Sequence, residues 1–409
     1  MFSNLKQELK NFCYKDKIFI LFAMLCIFCI AIEYSITKPA SISYFIDCFG
    51  ARNYPLAWIA MVPLNFATVY AYNYFLPKFG SLKTWIAFTF ITVGVNSLAA
   101  FFIDLSPIIC FFQFIWKDIY ILLMYKQVWS LVHTSVQYQR AKYLYGFIFA
   151  IGGIASTIGG ILPGFFASQM GSKSFFIFTA PIYLLLFFFY YKALKNSKFD
   201  GSIPEEENSK GYFWSLRQSK YLVLVLLLVV FMQVSIAFVD YQFSISLEKT
   251  IPNLDLRTEY SGKLWSLVHL IMMSLQLIGG FIIINFFGLK KTHFLIPLSL
   301  LINLVIYLIR PTFFVASYLF VYIKSIDYSI FSIIREMLYL PMKLDEKFRA
   351  KAVIDVFAYR TAKAVAGLFL LFINFWSVNF ISYLSMIICL LWILSVSYLF
   401  KTEAMQDRV

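Results

Sequence analysis

The sequence predicts an all-α polytopic membrane protein, in which twelve transmembrane helices form two six-helix halves. Three observations predict this fold class: the composition, the number of long apolar segments and an internal echo between the halves. Of the 409 residues, 61% are hydrophobic and only 14% are charged, and the mean hydropathy is +0.76. Soluble domains average about 45–50% apolar and about 25% charged residues. The composition therefore excludes a soluble enzyme, a disordered chain and a nucleic-acid-binding domain.

The apolar segments are long enough to cross a bilayer. A membrane helix needs about 20 largely apolar residues, because the hydrocarbon core is about 30 Å thick. The twelve segments of that kind have the approximate bounds 18–37, 57–76, 85–103, 108–133, 143–170, 175–192, 221–245, 265–287, 294–310, 313–339, 350–375 and 378–400. The first segment lacks a small-residue cleavage signature, so we interpret it as a retained helix and not as a signal peptide.

Lysine and arginine residues in the connections predict the orientation. If the N-terminus is cytoplasmic, connections on the cytoplasmic side carry 22 of the 35 basic residues, and connections on the opposite side carry seven. This asymmetry predicts an integral membrane protein with both termini in the cytoplasm. Contact with the anionic bilayer surface accounts for the net charge of +14 without a nucleic-acid partner.

The longest polar stretch separates the sixth segment from the seventh. It covers residues 193–220 and contains the run Glu205–Glu206–Glu207. Because its composition offers little to bury, we interpret it as a flexible cytoplasmic linker. It divides the chain into an N-terminal bundle, 1–192, and a C-terminal bundle, 221–409.

The internal echo relates the two bundles. Arg140–Ala141–Lys142 opens the fifth segment, and Arg349–Ala350–Lys351 opens the eleventh, 209 positions later. Two six-helix repeats related by an axis along the membrane normal are the architecture of major-facilitator carriers, which bind their substrate near the bilayer midplane. The echo therefore predicts a major-facilitator-like fold.

Ionisable residues inside apolar segments are the strongest functional signal, because each costs several kcal/mol unless it faces a wet cavity or a partner. The polar residues that we predict to line one central substrate cavity are Lys38, Lys117, Lys126, Gln127, Asp240, Lys324, Arg335 and Arg360. The carboxylates that we consider for proton coupling or charge balance are Glu33, Asp240, Asp327 and Asp355. Glu33 and Lys38 are expected near the outer end of the first helix.

Helical spacing orders the charges of the tenth segment. Lys324, Asp327 and Arg335 recur at steps of three and four through Phe331, so they share one helical stripe. Mutual neutralisation of Lys324 and Asp327 is one open interpretation, and a functional role is the other. Consecutive helical residues point about 100° apart, so Arg335 is not expected to pair with Glu336. A ligand or interhelical role is favoured for Arg335.

The remaining candidates point to packing and not to chemistry. The glycines that crowd the fifth segment are predicted to let helices approach closely; they are Gly146, Gly152, Gly153, Gly159, Gly160 and Gly164. His133 and His269 have no neighbouring ligand at metal spacing, so we predict no metal site and no cofactor. Cys48 is expected to be the only cysteine in an external loop and to have no disulfide partner there.

One tract resembles a known family. Arg335–Glu336–Met337–Leu338–Tyr339–Leu340–Pro341, followed by Lys351–Ala352–Val353–Ile354–Asp355 and then Arg360 and Lys363, is similar to the Lys–Glu–Met–Ala–Tyr–Ile–Pro and Lys–Ala–Ala–Ile–Asp tracts of bacterial and plastid ATP/ADP translocases. Gln127–Val128–Trp129–Ser130 resembles the family's Glu–Leu–Trp–Gly. Lys38 falls where the family has a lysine after its first helix. Gln127 replaces a carboxylate of the family, and Arg335 replaces a lysine.

The resemblance implies a major-facilitator-like carrier of nucleotides. We therefore expect a secondary active transporter for an anionic, nucleotide-like or phosphorylated metabolite, operating by alternating access as an exchanger or a proton symporter. Lys38 and Arg335 would attract the anionic groups, the arginine bidentately. The alternative is a non-transporting membrane scaffold or lipid-handling protein. No enzymatic activity is expected, and the chain is expected to work as a monomer in a bacterial inner membrane.

Overall fold

The computed structural model describes residues 14–135, 138–197, 219–339, 354, 359–373 and 378–402. Within these ranges every regular element is helical. The α-helices are α1 Tyr14–Phe49, α2 Tyr54–Phe102, α3 Pro107–Ser135, α4 Tyr138–Met170, α5 Thr179–Lys195, α6 Lys220–Thr250, α7 Leu254–Ser274, α8 Gly280–Ile309, α9 Phe313–Ile326, α10 Ser332–Leu338, α11 Tyr359–Ile373 and α12 Val378–Leu399. The shorter 3₁₀ and π turns are Ala51–Asn53, Ile103–Leu105, Ser172–Phe178, Leu275–Gly279 and Asp327–Phe331.

Nine helical stretches of the described chain are long and apolar enough to cross a membrane. Large apolar side chains on them point outwards, with Phe286 83% exposed and Phe314 79% exposed. Extensive apolar exposure of this kind marks a membrane-facing surface. The chain is an all-α integral membrane protein, as its composition predicts, whereas the count of twelve spans stays a prediction.

Two glycines break long helices at points that lie between predicted segments. Gly80 interrupts α2 with φ 75° and ψ 167°, and Gly288 interrupts α8 with φ 72° and ψ 167°. Only glycine adopts this backbone conformation without a Cβ penalty. The predicted segments 57–76 and 85–103 thus lie on either side of the break in α2.

The first helix is longer than predicted. It continues through Pro39 to Phe49, and its last turns are buried at Ala40, Phe45 and Ile46. The sequence predicts an end of this segment at residue 37 because the next two residues, a lysine and a proline, interrupt the apolar run. Glu33 and Lys38 therefore lie inside α1, and the expectation that they sit near its outer end is wrong.

The helices group into two compact units. The first unit comprises Met1–Phe49, Pro63–Pro204 and Asn253–Met273, and the second comprises Gly50–Val62, Glu205–Pro252 and Ser274–Val409. The first unit thus includes most of α7, and the second includes the beginning of α2. The predicted division at 193–220 stays a prediction, because residues 198–218 lie outside the described chain.

The core of the first unit is built around α1. This helix packs against α3, α4 and α5, with the Phe45 and Phe114 rings 4.4 Å apart. A Cβ added to Gly159 would lie 2.5 Å from the Ile32 carbonyl oxygen, so α4 approaches the α1 backbone directly. The predicted packing role is confirmed for this glycine, since small residues let membrane helices meet at backbone distance.

The prediction for Cys48 is wrong. Cys48 lies in the last turn of α1 and forms a disulfide with Cys110 at the start of α3, with their Cα atoms 6.8 Å apart. The residues are 62 positions apart in sequence, and Cys110 falls within an apolar segment. A search for a partner in the same loop therefore misses it.

Candidate functional site

Glu33 lies at the centre of a buried polar network in the first unit. Its carboxylate accepts hydrogen bonds from the Tyr120 hydroxyl at 3.0 and 3.1 Å, from the Thr179 hydroxyl at 2.7 Å and from the Asn96 amide at 3.4 Å. Asn96 in turn accepts from Gln113 at 3.0 Å. The side chain of Glu33 is fully buried. Neutral donors from α2, α3 and α5 thus converge on one carboxyl group.

Lys38 lies one and a half turns further along α1 and contacts aromatic rings. Its ammonium is 3.1 Å from the centroid of the Trp265 ring and 5.0 Å from that of Tyr34. Both Lys38 and Trp265 are buried. A cation over an indole face is a favourable electrostatic arrangement, and it strengthens where water is excluded. Trp265 belongs to α7, so this segment completes the surroundings of Lys38.

Lys117 is held by its own helix. Its ammonium donates to the Phe114 carbonyl oxygen at 2.7 Å and to Asp118 Oδ2 at 3.0 Å. The Tyr34 hydroxyl donates to the other oxygen of Asp118 at 2.6 Å. Lys117 is buried, whereas Asp118 retains partial exposure. Lys117, one of the predicted site residues, thus forms an ion pair with Asp118 on α3. Tyr34 of α1 donates a hydrogen bond to that pair.

Lys126 and Gln127 contact α2 and α5. Lys126 donates to Asn73 Oδ1 at 2.8 Å. Gln127 donates to the Ser81 carbonyl oxygen at 2.7 Å and to the Tyr190 hydroxyl at 3.1 Å. Ser81 directly follows the glycine break in α2, so Gln127 satisfies a carbonyl at the point where the helix is interrupted.

In the second unit, Asp240 on α6 forms the centre of a charged cluster. Lys324 donates to Asp240 Oδ2 at 2.8 Å, and the Lys363 ammonium is 3.9 Å from the same oxygen. Lys363 also lies over the Trp58 ring, 4.8 Å from its centroid. Two lysines from α9 and α11 therefore surround one carboxylate, and a tryptophan from the start of α2 borders the group.

Asp327 and Arg335, the other charged residues of the predicted helical stripe, lie in elements that follow α9. Gln233 on α6 donates to Asp327 Oδ1 at 3.2 Å, and Asp327 lies in the π turn between α9 and α10. Arg335 is half-buried on α10. Asp355 and the side chain of Arg360 lie outside the described residues. Lys324 thus contacts Asp240, which lies on another helix.

Within the first unit, α7 contacts α1, α4 and the 3₁₀ turn Ser172–Phe178 through polar groups and close backbone packing. The hydroxyl and the N–H of Ser172 donate to Asp255 Oδ1 at 2.6 and 2.7 Å. The buried Arg257 donates to the Ser43 carbonyl oxygen at 3.1 Å. A Cβ added to Gly262 would lie 2.6 Å from the Gly164 nitrogen. The glycines thus let α7 and α4 approach each other at backbone distance.

A constant sequence offset relates the key residues of the two units. Glu33 and Asp240, Lys117 and Lys324, and Trp58 and Trp265 are each 207 positions apart, and the glycine breaks at Gly80 and Gly288 are 208 apart. The predicted echo at 209 positions depends on three consecutive identical residues. It therefore does not include these single residues at 207 positions. A search for isolated charged and tryptophan residues at a fixed spacing would have found Trp58 and Trp265, which the sequence analysis did not identify.

Comparisons with known proteins identify the relatives of this chain. Residues 309–402 match the family model of the TLC ATP/ADP transporter. This part contains Lys324, Arg335 and Lys363. The ADP,ATP carrier protein 1 of Chlamydia pneumoniae is 26% identical over an alignment that covers 39% of this chain and 35% of that carrier. The match thus spans about a third of the relative's length.

Solved structures of transporters share the fold. A single-residue mutant of the nucleoside transporter NupG superposes with a TM-score of 0.70 at 10% identity over 94% of this chain and 100% of that chain. A POT family transporter in complex with 5-aminolevulinic acid has a TM-score of 0.69 at 11% identity over 93% and 96% of the two chains. A bacterial homologue of ferroportin has a TM-score of 0.64 at 10% identity over 95% and 99%.

The similarity to these structures shows a major-facilitator-like fold, which confirms the predicted fold class. The family match confirms the resemblance found in the 335–363 tract, and it favours transport over the alternative of a scaffold. Residues 309–402 are therefore similar to the ATP/ADP transporter family, and the chain is an integral membrane protein with a major-facilitator-like fold.

Proposed function

We propose that this carrier moves an anionic, nucleotide-like or phosphorylated metabolite across a bacterial cell membrane by alternating access. The family match supports the proposal, since the matched relative is named as an ADP,ATP carrier. The predicted site residues support it further, because six of the eight are cationic. Lys38, Lys324 and Arg335 are the ones to which we assign the anionic groups of the substrate. Lys117, Lys126, Gln127, Asp240 and Arg360 stay predicted members of the site.

The observation that carries the proposal is a lysine over a tryptophan in each unit. Lys38 lies over Trp265, and Lys363 lies over Trp58. The repeat offset of 207 positions relates the two tryptophans, whereas the two lysines come from α1 and α11, at positions that it does not relate. An ammonium binds phosphate as a point charge, and an indole face can stack on a planar base. A compound with a phosphate and a flat ring would use both groups.

Lys38 provides the test of this proposal. We expect purified wild-type protein to bind radiolabelled ADP, and Lys38→Ala to weaken that binding about tenfold or more, because a hydrogen bond to a charged group contributes about 1.5–3 kcal/mol. Trp265→Ala should also weaken binding. The matched control is Lys78→Ala, because Lys78 likewise lies over a tyrosine ring, 3.6 Å from the Tyr74 centroid, but is exposed.

The Lys78→Ala control shows whether ADP binding depends on a specific site or on the total positive charge of the protein. We expect Lys78→Ala to bind ADP as the wild type does. Equal losses in Lys38→Ala and Lys78→Ala would mean that total charge, and not this site, governs binding. Unchanged binding in both Lys38→Ala and Trp265→Ala would remove the lysine–tryptophan pair from the proposal.

We also propose that both termini are cytoplasmic. The basic residues support this orientation, and so does the disulfide between Cys48 and Cys110, which lies at the helix ends away from the N-terminus. Disulfides persist in oxidising compartments outside the cytoplasm. Ser202→Cys should react with a membrane-impermeant maleimide only after permeabilisation, with the unsubstituted chain as the control. Labelling of Ser202→Cys in intact cells would reverse the orientation.

A further inference from the structure

Glu33 is a fully buried carboxyl group in the middle of a membrane helix. Its hydrogen-bond donors are the hydroxyls of Tyr120 and Thr179 and the amide of Asn96, all of them neutral. Tyr120 also shares a hydrogen bond with the Thr37 hydroxyl at 3.1 Å. No Lys, Arg or His in the part of the chain that the structure describes forms an ion pair with Glu33. A buried carboxylate that has no counter-charge is costly.

The described residues of the elements packed against α1 form no ion pair with Glu33. On α3, Lys117 is bound to Asp118, and Tyr120 is the other titratable neighbour. On α5, the buried Tyr183 lies close enough to interact electrostatically with Glu33.

The described residues of the other neighbours of α1 form no ion pair with Glu33 either. Residues 147–170 of α4 include no ionisable side chain, and Lys173, in the 3₁₀ turn before α5, pairs with Asp104. On α1 itself, Cys29 is buried and Lys38 lies over Trp265.

Asp240, at the position of the second unit that the repeat offset relates to Glu33, has a charged hydrogen-bond partner. Asp240, which is 207 positions after Glu33, receives a hydrogen bond from Lys324 at 2.8 Å. Lys324 is itself 207 positions after Lys117. The acid and the lysine at these related positions therefore form an ion pair in the second unit. In the first unit the lysine is bound to Asp118, and the acid has only neutral hydrogen-bond donors.

We propose that Glu33 is the proton-binding site of this carrier, and that the Asp240–Lys324 pair is not. The proton adds to the Glu33 carboxylate and gives a neutral carboxylic acid, so no other bond changes. The hydroxyls of Tyr120 and Thr179 fit both forms, because each can donate to a carboxylate and accept from an acid O–H. This assignment rests on the proposed transport function only in so far as the bound proton is coupled to transport.

Infrared spectroscopy tests proton binding without any substrate. Purified wild-type protein should show the C=O stretching band of a buried protonated carboxylic acid, and the band should decrease as the pH is raised. Glu33→Gln should remove that band, and Glu33→Asp should shift it. Glu259→Gln and Asp240→Asn are the controls, and both should leave the band in place. A band that survives Glu33→Gln, or a wild type without one, would overturn the assignment.

A transport measurement then tests coupling. In proteoliposomes, an imposed pH gradient should drive accumulation of radiolabelled ADP by the wild type, and Glu33→Gln should lose the response to the gradient while it still binds ADP. Accumulation by Glu33→Gln that responds to the gradient as the wild type does would overturn the coupling role. If ADP is not bound by any variant but the infrared band behaves as expected, the substrate proposal fails and the proton site stands.

Discussion

Arg335→Ala is expected to abolish binding of ADP while the protein still folds and inserts. Arg335 is half-buried on α10, within the part of the chain that matches the ATP/ADP transporter model. A guanidinium presents a planar fork of donors to a phosphate group, and its loss removes both the charge and the geometry. Arg335→Lys should keep part of the affinity, because the charge remains. Binding of radiolabelled ADP and the melting temperature in detergent measure the two effects separately.

A purely structural role of Arg335 predicts a different result. If Arg335 forms an ion pair with a carboxylate such as Asp240 or Asp355, its loss should lower the melting temperature, and neutralising the partner should restore both folding and binding. Asp240 already receives Lys324 at 2.8 Å and has Lys363 at 3.9 Å. We therefore expect Asp240→Asn to give no rescue of Arg335→Ala. Restored binding in a double variant that lacks Arg335 would end the assignment of this residue to the substrate.

Cross-linking Ser172→Cys to Asp255→Cys is expected to stop transport. The native side chains are in direct contact, with the Ser172 hydroxyl 2.6 Å from Asp255 Oδ1, so two cysteines at these positions should bond. We propose that α7 must move away from α4 and the following 3₁₀ turn when the carrier changes state, since glycines form much of this contact. A bond across it would hold the carrier in one state. Uptake should be lost after oxidation and should return after reduction.

The single variants are the matched controls for the cross-link. Ser172→Cys and Asp255→Cys alone should keep uptake under oxidising conditions, because neither can form the new bond. Full transport by a double variant in which the cross-link is shown to be complete would mean that α7 stays in place during transport. The alternating-access proposal would then need a different moving contact.

The fold was predictable because it follows from composition. Apolar segments of membrane length locate the helices, and even the helix breaks fall between predicted segments, at Gly80 and Gly288. The end of α1 was not predictable in the same way. Lys38 and Pro39 interrupt the apolar run, and only packing of the following residues shows that the helix continues to Phe49.

The partners of the charged residues could be predicted only within one helix. Helical spacing places Lys324 next to Asp327, and only the structure shows its hydrogen bond to Asp240, which is 84 positions away on α6. The disulfide between Cys48 and Cys110 is another long-range contact of this kind. Tertiary packing decides such contacts, and one sequence shows them only where a repeat places related residues at a constant offset, as it does for Trp58 and Trp265.

Uptake of radiolabelled ADP by proteoliposomes that contain only this protein tests the central claim most directly. The account predicts saturable uptake that unlabelled ATP and other phosphorylated compounds reduce and that uncharged adenosine does not. Empty liposomes and Arg335→Ala serve as the controls. Uptake of adenosine without uptake of any phosphorylated compound would contradict the account, because the lysines and the arginine assigned to the anionic groups would then have no role in recognition.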